Sequence, residues 1–122
     1  MVENKEMLNR EKSRLWFVKV LAGLLIIFFM TLHMIVNHLV APEGLLSYQD
    51  VLDYYQNPII PIIEILFLIT VITHCLLGLR SIILDLNPAA GLMKKLDVGL
   101  LLLGLISAIY GILLVIIITS RL

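Results

Sequence analysis

Three long apolar runs dominate this 122-residue chain and decide what it can fold into. "LWFVKVLAGLLIIFFMTLHMIVNHLV" covers Leu15 to Val40. "IIPIIEILFLITVITHCLLGL" covers Ile59 to Leu79 and stays apolar to about Leu84. "VGLLLLGLISAIYGILLVIIIT" covers Val98 to Thr119. Each exceeds the roughly 20 residues that cross about 30 Å of hydrocarbon at ~1.5 Å per residue. Inside lipid, backbone polar groups must bond within their own segment, so the runs are helices. Hydrophobic residues make up 61% of the chain, well above a soluble domain's share. With roughly 75 residues in hydrocarbon, no separate water-soluble domain is left over. The expected fold is all-α: one integral membrane domain over residues 1–122, with three transmembrane helices at about 15–40, 58–84 and 97–119. Membrane lipid is the expected surrounding, and no nucleic-acid partner is expected.

The first run is too long for a signal-peptide core, and no small-residue cleavage pattern follows it. Glu3, Glu6 and Glu11 in the head argue against a mitochondrial transit peptide, which points to a prokaryotic inner (cytoplasmic) membrane. Net charge is zero, but its distribution is lopsided. Lys5, Arg10, Lys12, Arg14 and Lys19 sit in the head and first run. The first connection, 41–57, has no Lys or Arg and carries Glu43, Asp50 and Asp53. The second, around 80–97, has Arg80, Lys94 and Lys95, and the tail has Arg121. By the positive-inside rule the N-terminus and second connection are expected to be cytoplasmic.

Pro42, Pro58 and Pro61 punctuate the first connection and the start of the second helix, where a first turn tolerates proline. "SYQDVLDYYQN" reads as a short amphipathic piece at the outer surface. The single cysteine, Cys75, excludes an internal disulfide and an iron–sulfur site built from this chain's thiolates alone. Without C-x-x-C-H, any haem would be held without thioether bonds.

The polar residues inside the runs carry the functional signal. In "THCLLGLRSIILD", Thr73 to Asp85, an apolar helix carries a histidine, an arginine and an aspartate. At ~100° per residue, Thr70, His74, Gly78, Ser81 and Asp85 share one face, a polar stripe that must meet a partner, a cofactor or water. Gly78 leaves room beside His74, and Arg80 can reach the aqueous interface with its long stem. Imidazole on iron with guanidinium near propionates would suit a haem. A hydrogen bond from His74 to a neighbouring helix would account for the residue equally well.

The element H-x-x-x-G-x-R-x-x-x-x-D, formed by His74, Gly78, Arg80 and Asp85, resembles helix two of the cytochrome b membrane anchors of succinate:quinone oxidoreductases (succinate dehydrogenase and fumarate reductase). The three-helix layout extends the resemblance to nearly the whole chain. The resemblance implies that His74 is an axial ligand of haem b. It also implies that flavoprotein and iron–sulfur subunits and a second anchor are partners, and that electrons pass to or from quinone. Flavin, iron–sulfur clusters and the dicarboxylate site would belong to those partners, so the chain would serve an enzyme as a subunit. In "LHMIVNHLV", His33 and Asn37, one turn apart, resemble the helix-one ligand region of dihaem anchors, which would make His33 a second haem ligand; the alternative is that His33 bonds a neighbouring helix, and His38 is expected at the outer headgroups. Single-haem anchors carry serine and "HR-x-SG" at the start of helix one, where this chain has "SRLWFVKVLAG". Leu86 follows Asp85 where another anchor type has tyrosine. Quinone contacts are accordingly expected from Trp16, Lys19, Ser81 and Asp85.

Depth separates the two histidines. His33 lies ~27 Å from the inner end of its helix and His74 ~15 Å from the inner end of its own. Either two haems stack across the membrane, each completed by another chain, or one histidine alone is a ligand. Glu64, an intramembrane carboxylate, must be protonated, paired or part of a proton route. Gly104, Ser107 or Ala108, and Gly111 form a small-residue packing face, beside which Tyr110 needs a partner for its phenol. A cofactor-free structural subunit of another membrane assembly and a different b-type cytochrome remain the alternative readings.

Overall fold

The computed structural model describes residues 2–40 and 46–122; Pro42 and Glu43 of the first connection lie outside the described residues. Among the described residues there are helices and no strands. The order is α1 (Val2–Met34), a π-helical turn (Ile35–Val40), α2 (Tyr48–Tyr55), α3 (Ile59–Asp85) and α4 (Ala90–Thr119). Three segments are long and apolar enough to span a membrane: Lys12–Leu39, Ile59–Asp85 and Ala90–Thr119.

Helix ends follow local chemistry. Ser47 and Asp50 close a capping box on α2: Ser47 N–H donates to Asp50 Oδ2 (2.7 Å) and Asp50 N–H to Ser47 Oγ (3.3 Å). At the start of α3, Asn57 Oδ1 accepts from Ile59 N–H (3.1 Å), and Pro58 and Pro61 fall where no intrahelical donor is needed. Asn87, at φ 52°, adopts the left-handed conformation that ends α3, and Pro88 follows it.

Two helices start earlier than the apolar runs suggest. α1 begins at Val2 rather than near residue 15, because the charged head is built from strong helix formers with no proline and no glycine before Gly23. α4 begins at Ala90 rather than near 97, and its first turn buries Met93.

α3 is the central element. It packs along α1 on one side and α4 on the other; among the described residues the backbones of α1 and α4 do not come together, and α2 rests on α3 and α4. The small-residue face of α4 meets α3 closely: a Cβ at Gly104 would fall 2.6 Å from Leu76 Cδ1, and one at Gly111 would overlap Leu68. Among the described residues only Ala22, Pro61, Met93 and Gly104 are buried. Leucine, isoleucine and phenylalanine side chains cover the outside of all three long helices, a surface suited to hydrocarbon or to another apolar chain. Cys75 and Tyr110 also face outward.

Candidate functional site

The polar residues of the apolar helices gather on the α1–α3 seam in three successive levels. Nearest the N-terminal end of α1, the Lys19 ammonium donates to Ser81 Oγ at 2.8 Å, and Ser81 in turn donates to the Leu77 carbonyl at 3.1 Å. A cleft of about 720 Å³ opens here between α1 and α3, with Lys12, Ser13, Trp16, Lys19, Arg80 and Ser81 as its polar and aromatic wall. Trp16, Lys19 and Ser81 thus come together. Asp85 lies exposed at the end of α3 and does not line the cleft.

At the next level His74 turns its ring toward α1 at Gly23. A Cβ at Gly23 would sit 3.4 Å from His74 Cε1 and 3.8 Å from Nδ1, so the missing side chain gives the imidazole its place. His74 Nδ1 is buried with no hydrogen-bond partner. A buried nitrogen left in that state costs about 1–3 kcal/mol. Gly78, one turn along α3, has open space: a Cβ there would meet nothing within 4 Å. Glycine at 78 is therefore not required by the packing of this chain on itself.

The third level pairs His33 with Glu64. His33 Nδ1 lies 3.9 Å from Glu64 Oε1, within ion-pair range but too long for a hydrogen bond, and is likewise buried with no hydrogen-bond partner. The His33 ring packs on Phe67 at 5.8 Å between centroids. Asn37 donates to the His33 carbonyl (2.8 Å) where α1 widens into the π-helical turn, a distortion often found beside functional residues. On α2, burial and then the Glu64 carboxylate push the Tyr55 phenol up to about 12 and raise Tyr54 for the same reasons.

Ten residues separate Gly23 from His33, and ten separate Glu64 from His74. His33 and His74 therefore lie about 15 Å apart along the seam. Arg80 borders the α1–α3 cleft and reaches from it across to α4. Its Nε donates to Asp97 Oδ1 at 2.7 Å and its Nη2 to Asp97 Oδ2 at 3.2 Å, a two-pronged bridge from α3 to α4.

Sequence reasoning passed over Gly23 and Asp97. Each carried a signal: a lone glycine inside "VLAGLL", and a lone carboxylate at the mouth of the third apolar run. His33 and Glu64 were each noticed, but their pairing depends on the register of α1 against α3, which no single helix reveals.

The chain matches the family described as succinate dehydrogenase/fumarate reductase transmembrane subunit over residues 3–114. It is similar to the succinate dehydrogenase hydrophobic membrane anchor subunit of Archaeoglobus fulgidus, with 33% identity over 113 residues, covering 91% of this chain and 94% of that protein. The subunit of the same name from Thermoplasma acidophilum is 23% identical over 111 residues, covering 91% and 89% respectively. No solved structure matches it. An all-helical chain with three membrane-length apolar helices, matched along nearly its whole length, belongs to the transmembrane-subunit family of succinate dehydrogenase and fumarate reductase.

Proposed function

We propose that this chain is a haem b-binding membrane anchor of a succinate:quinone oxidoreductase, holding flavoprotein and iron–sulfur subunits at the cytoplasmic face of a prokaryotic inner membrane. The observation that carries the reading is His74: an imidazole in an apolar span, seated against Gly23, with Nδ1 buried and unpaired and open space one turn along at Gly78. The residues fit a haem, because an imidazole ligand needs a site shaped to its ring and clearance for a flat macrocycle. Bound haem b supplies a reversible one-electron centre.

His74 would hold the iron, and Gly78 would leave its neighbourhood clear. His33 is about 15 Å away along the seam and would not hold the same iron, so any further ligand to it would be another chain's. A buried His33 Nδ1 that finds no hydrogen bond, only the Glu64 carboxylate at 3.9 Å, supports a second haem at that level.

The cleft between α1 and α3 supplies the chemistry for a quinone headgroup. Lys19 and Arg80 bring N–H donors suited to a carbonyl oxygen, Ser81 fixes Lys19 by hydrogen bonding, and Trp16 offers a flat apolar wall. Lysines on the α1 side of the cleft support a position toward the positively charged end of the chain, the end that the positive-inside rule favours for the cytoplasm.

The test is haem per complex, measured as pyridine haemochrome after gentle detergent extraction with all partners. One or two haems b per complex, with one lost in His74→Ala, is the expected result. A haem-free complex that still reduces quinone would overturn the haem assignment and leave a structural anchor. His33→Ala should remove one haem of two and leave the other's redox transition in place.

A further inference from the structure

Arg80 stands at the junction of two clefts. It lines the α1–α3 cleft that holds Lys19 and Ser81, and it lines a second cleft of about 420 Å³ over the C-terminal half of α3, walled by Leu15 and Val18 of α1 and by Asp97, Leu100 and Leu101 of α4. Nothing in the sequence of α3 decides where its guanidinium points. An arginine near the end of a membrane helix ordinarily runs its stem along the apolar surface and delivers its charge to the headgroups.

Asp97 changes that outcome. It sits about two turns into α4, past the polar start of the helix and beside Leu100 and Leu101, and it engages Arg80 through two hydrogen bonds of 2.7 and 3.2 Å. The matched fork fixes the guanidinium plane as well as its distance. As a staple between α3 and α4 the pair is a poor choice. Interhelical polar contacts in membranes add little stability, and the close packing of Gly104 and Gly111 on Leu76 and Leu68 already joins these helices. Charged groups inside a span are more often kept for function.

We infer that Asp97 is a positioning residue: it holds the Arg80 guanidinium at the head of the α1–α3 cleft, where Arg80 meets the headgroup of a bound quinone. The inference rests on the quinone reading of that cleft. It makes α4, which contributes no residue to the cleft wall, a part of the site through one carboxylate.

The experiment uses the whole complex in detergent, with succinate-driven reduction of a short-chain quinone and the amount of assembled complex measured together. Arg80→Gln should raise the KM for quinone roughly tenfold, the low end of what one hydrogen bond to a charged group is worth. Asp97→Asn should raise KM in the same direction, Asp97→Glu should restore much of the loss, and the double variant should be no worse than Arg80→Gln alone. The decisive variant exchanges the pair, Arg80→Asp with Asp97→Arg. It keeps an ion pair between α3 and α4 but moves the cation to the wrong helix, so assembly should be normal and KM should stay high. If the exchange restores both, or if Asp97→Asn leaves KM unchanged while Arg80→Gln raises it, Asp97 is only a staple and the inference fails. If Arg80→Gln itself leaves KM unchanged, the quinone reading of the cleft fails first.

Discussion

Gly23 tests the seat of His74 most directly, because the structure sets the allowance in ångströms. A Cβ added there would lie 3.4 Å from His74 Cε1 and 3.8 Å from Nδ1, the near edge of ordinary van der Waals contact. Alanine therefore fits, and it improves helix propensity over glycine by up to about 1 kcal/mol. Valine does not fit. Its γ carbons extend roughly 1.5 Å beyond Cβ, so one directed at the ring would come within about 2 Å of it. Valine is held to one χ1 rotamer in a helix and has little freedom to swing away. The ring must move, or α1 and α3 must separate, at about 1–3 kcal/mol for an overpacked contact. Gly23→Ala should keep full haem and an unchanged reduced-minus-oxidised spectrum. Gly23→Val should lower haem per complex and shift the spectrum, while the anchor still inserts into the membrane. Wild-type haem with an unaltered spectrum in Gly23→Val would refute the seat. So would equal loss in both variants, since the effect would then not depend on distance.

Other outcomes can be checked independently. His74→Ala should abolish or severely weaken b-type haem binding without blocking insertion, as read by haemochrome and membrane extraction. In a Cys75→Ala background, a cysteine placed in the connection before α2 should react with an impermeant maleimide in intact cells and one beside Lys94 should not; the reverse pattern would invert the topology. The Tyr55 phenol, raised to about 12 by burial and then by Glu64, should titrate late in a 295 nm absorbance scan, and Tyr55→Phe should remove that late phase. Because its folded value lies above the unfolded one, the stabilisation it reports is fully present below about pH 10 and is lost as pH climbs toward 12. Asp50 runs the opposite way. Hydrogen bonds from Ser47 lower its pKa, so the α2 cap holds at neutral pH and weakens as the carboxylate protonates in acid, and Ser47→Ala should loosen α2 in hydrogen exchange.

Much of this molecule is legible one helix at a time. Three apolar runs of membrane length require helices, because hydrocarbon offers backbone groups no other partner. The period of 3.6 puts His74, Gly78 and Ser81 on one face with no structure at hand, and the spacing of His74, Gly78, Arg80 and Asp85 carries the family resemblance. Even the short α2 could be read as an amphipathic piece in "SYQDVLDYYQN", though its Ser47–Asp50 cap came with the structure. Helix limits were less visible, since the charged head and the stretch after Pro88 are polar yet rich in helix formers, and hydropathy marks where a helix enters lipid rather than where it begins. What one helix cannot disclose is its register against the next. Lys19 on Ser81, Gly23 on His74, and His33 beside Glu64 each follow from how α1 slides along α3. Arg80 meets Asp97 because the packing of Gly104 and Gly111 against α3 sets the register of α4 along it. The sequence alone determined a three-span membrane anchor with a polar stripe on its second span. Only the tertiary structure decided which partners the stripe meets, because side-chain pairing between apolar helices depends on shape contacts of a few tenths of an ångström that leave no periodic trace in the chain.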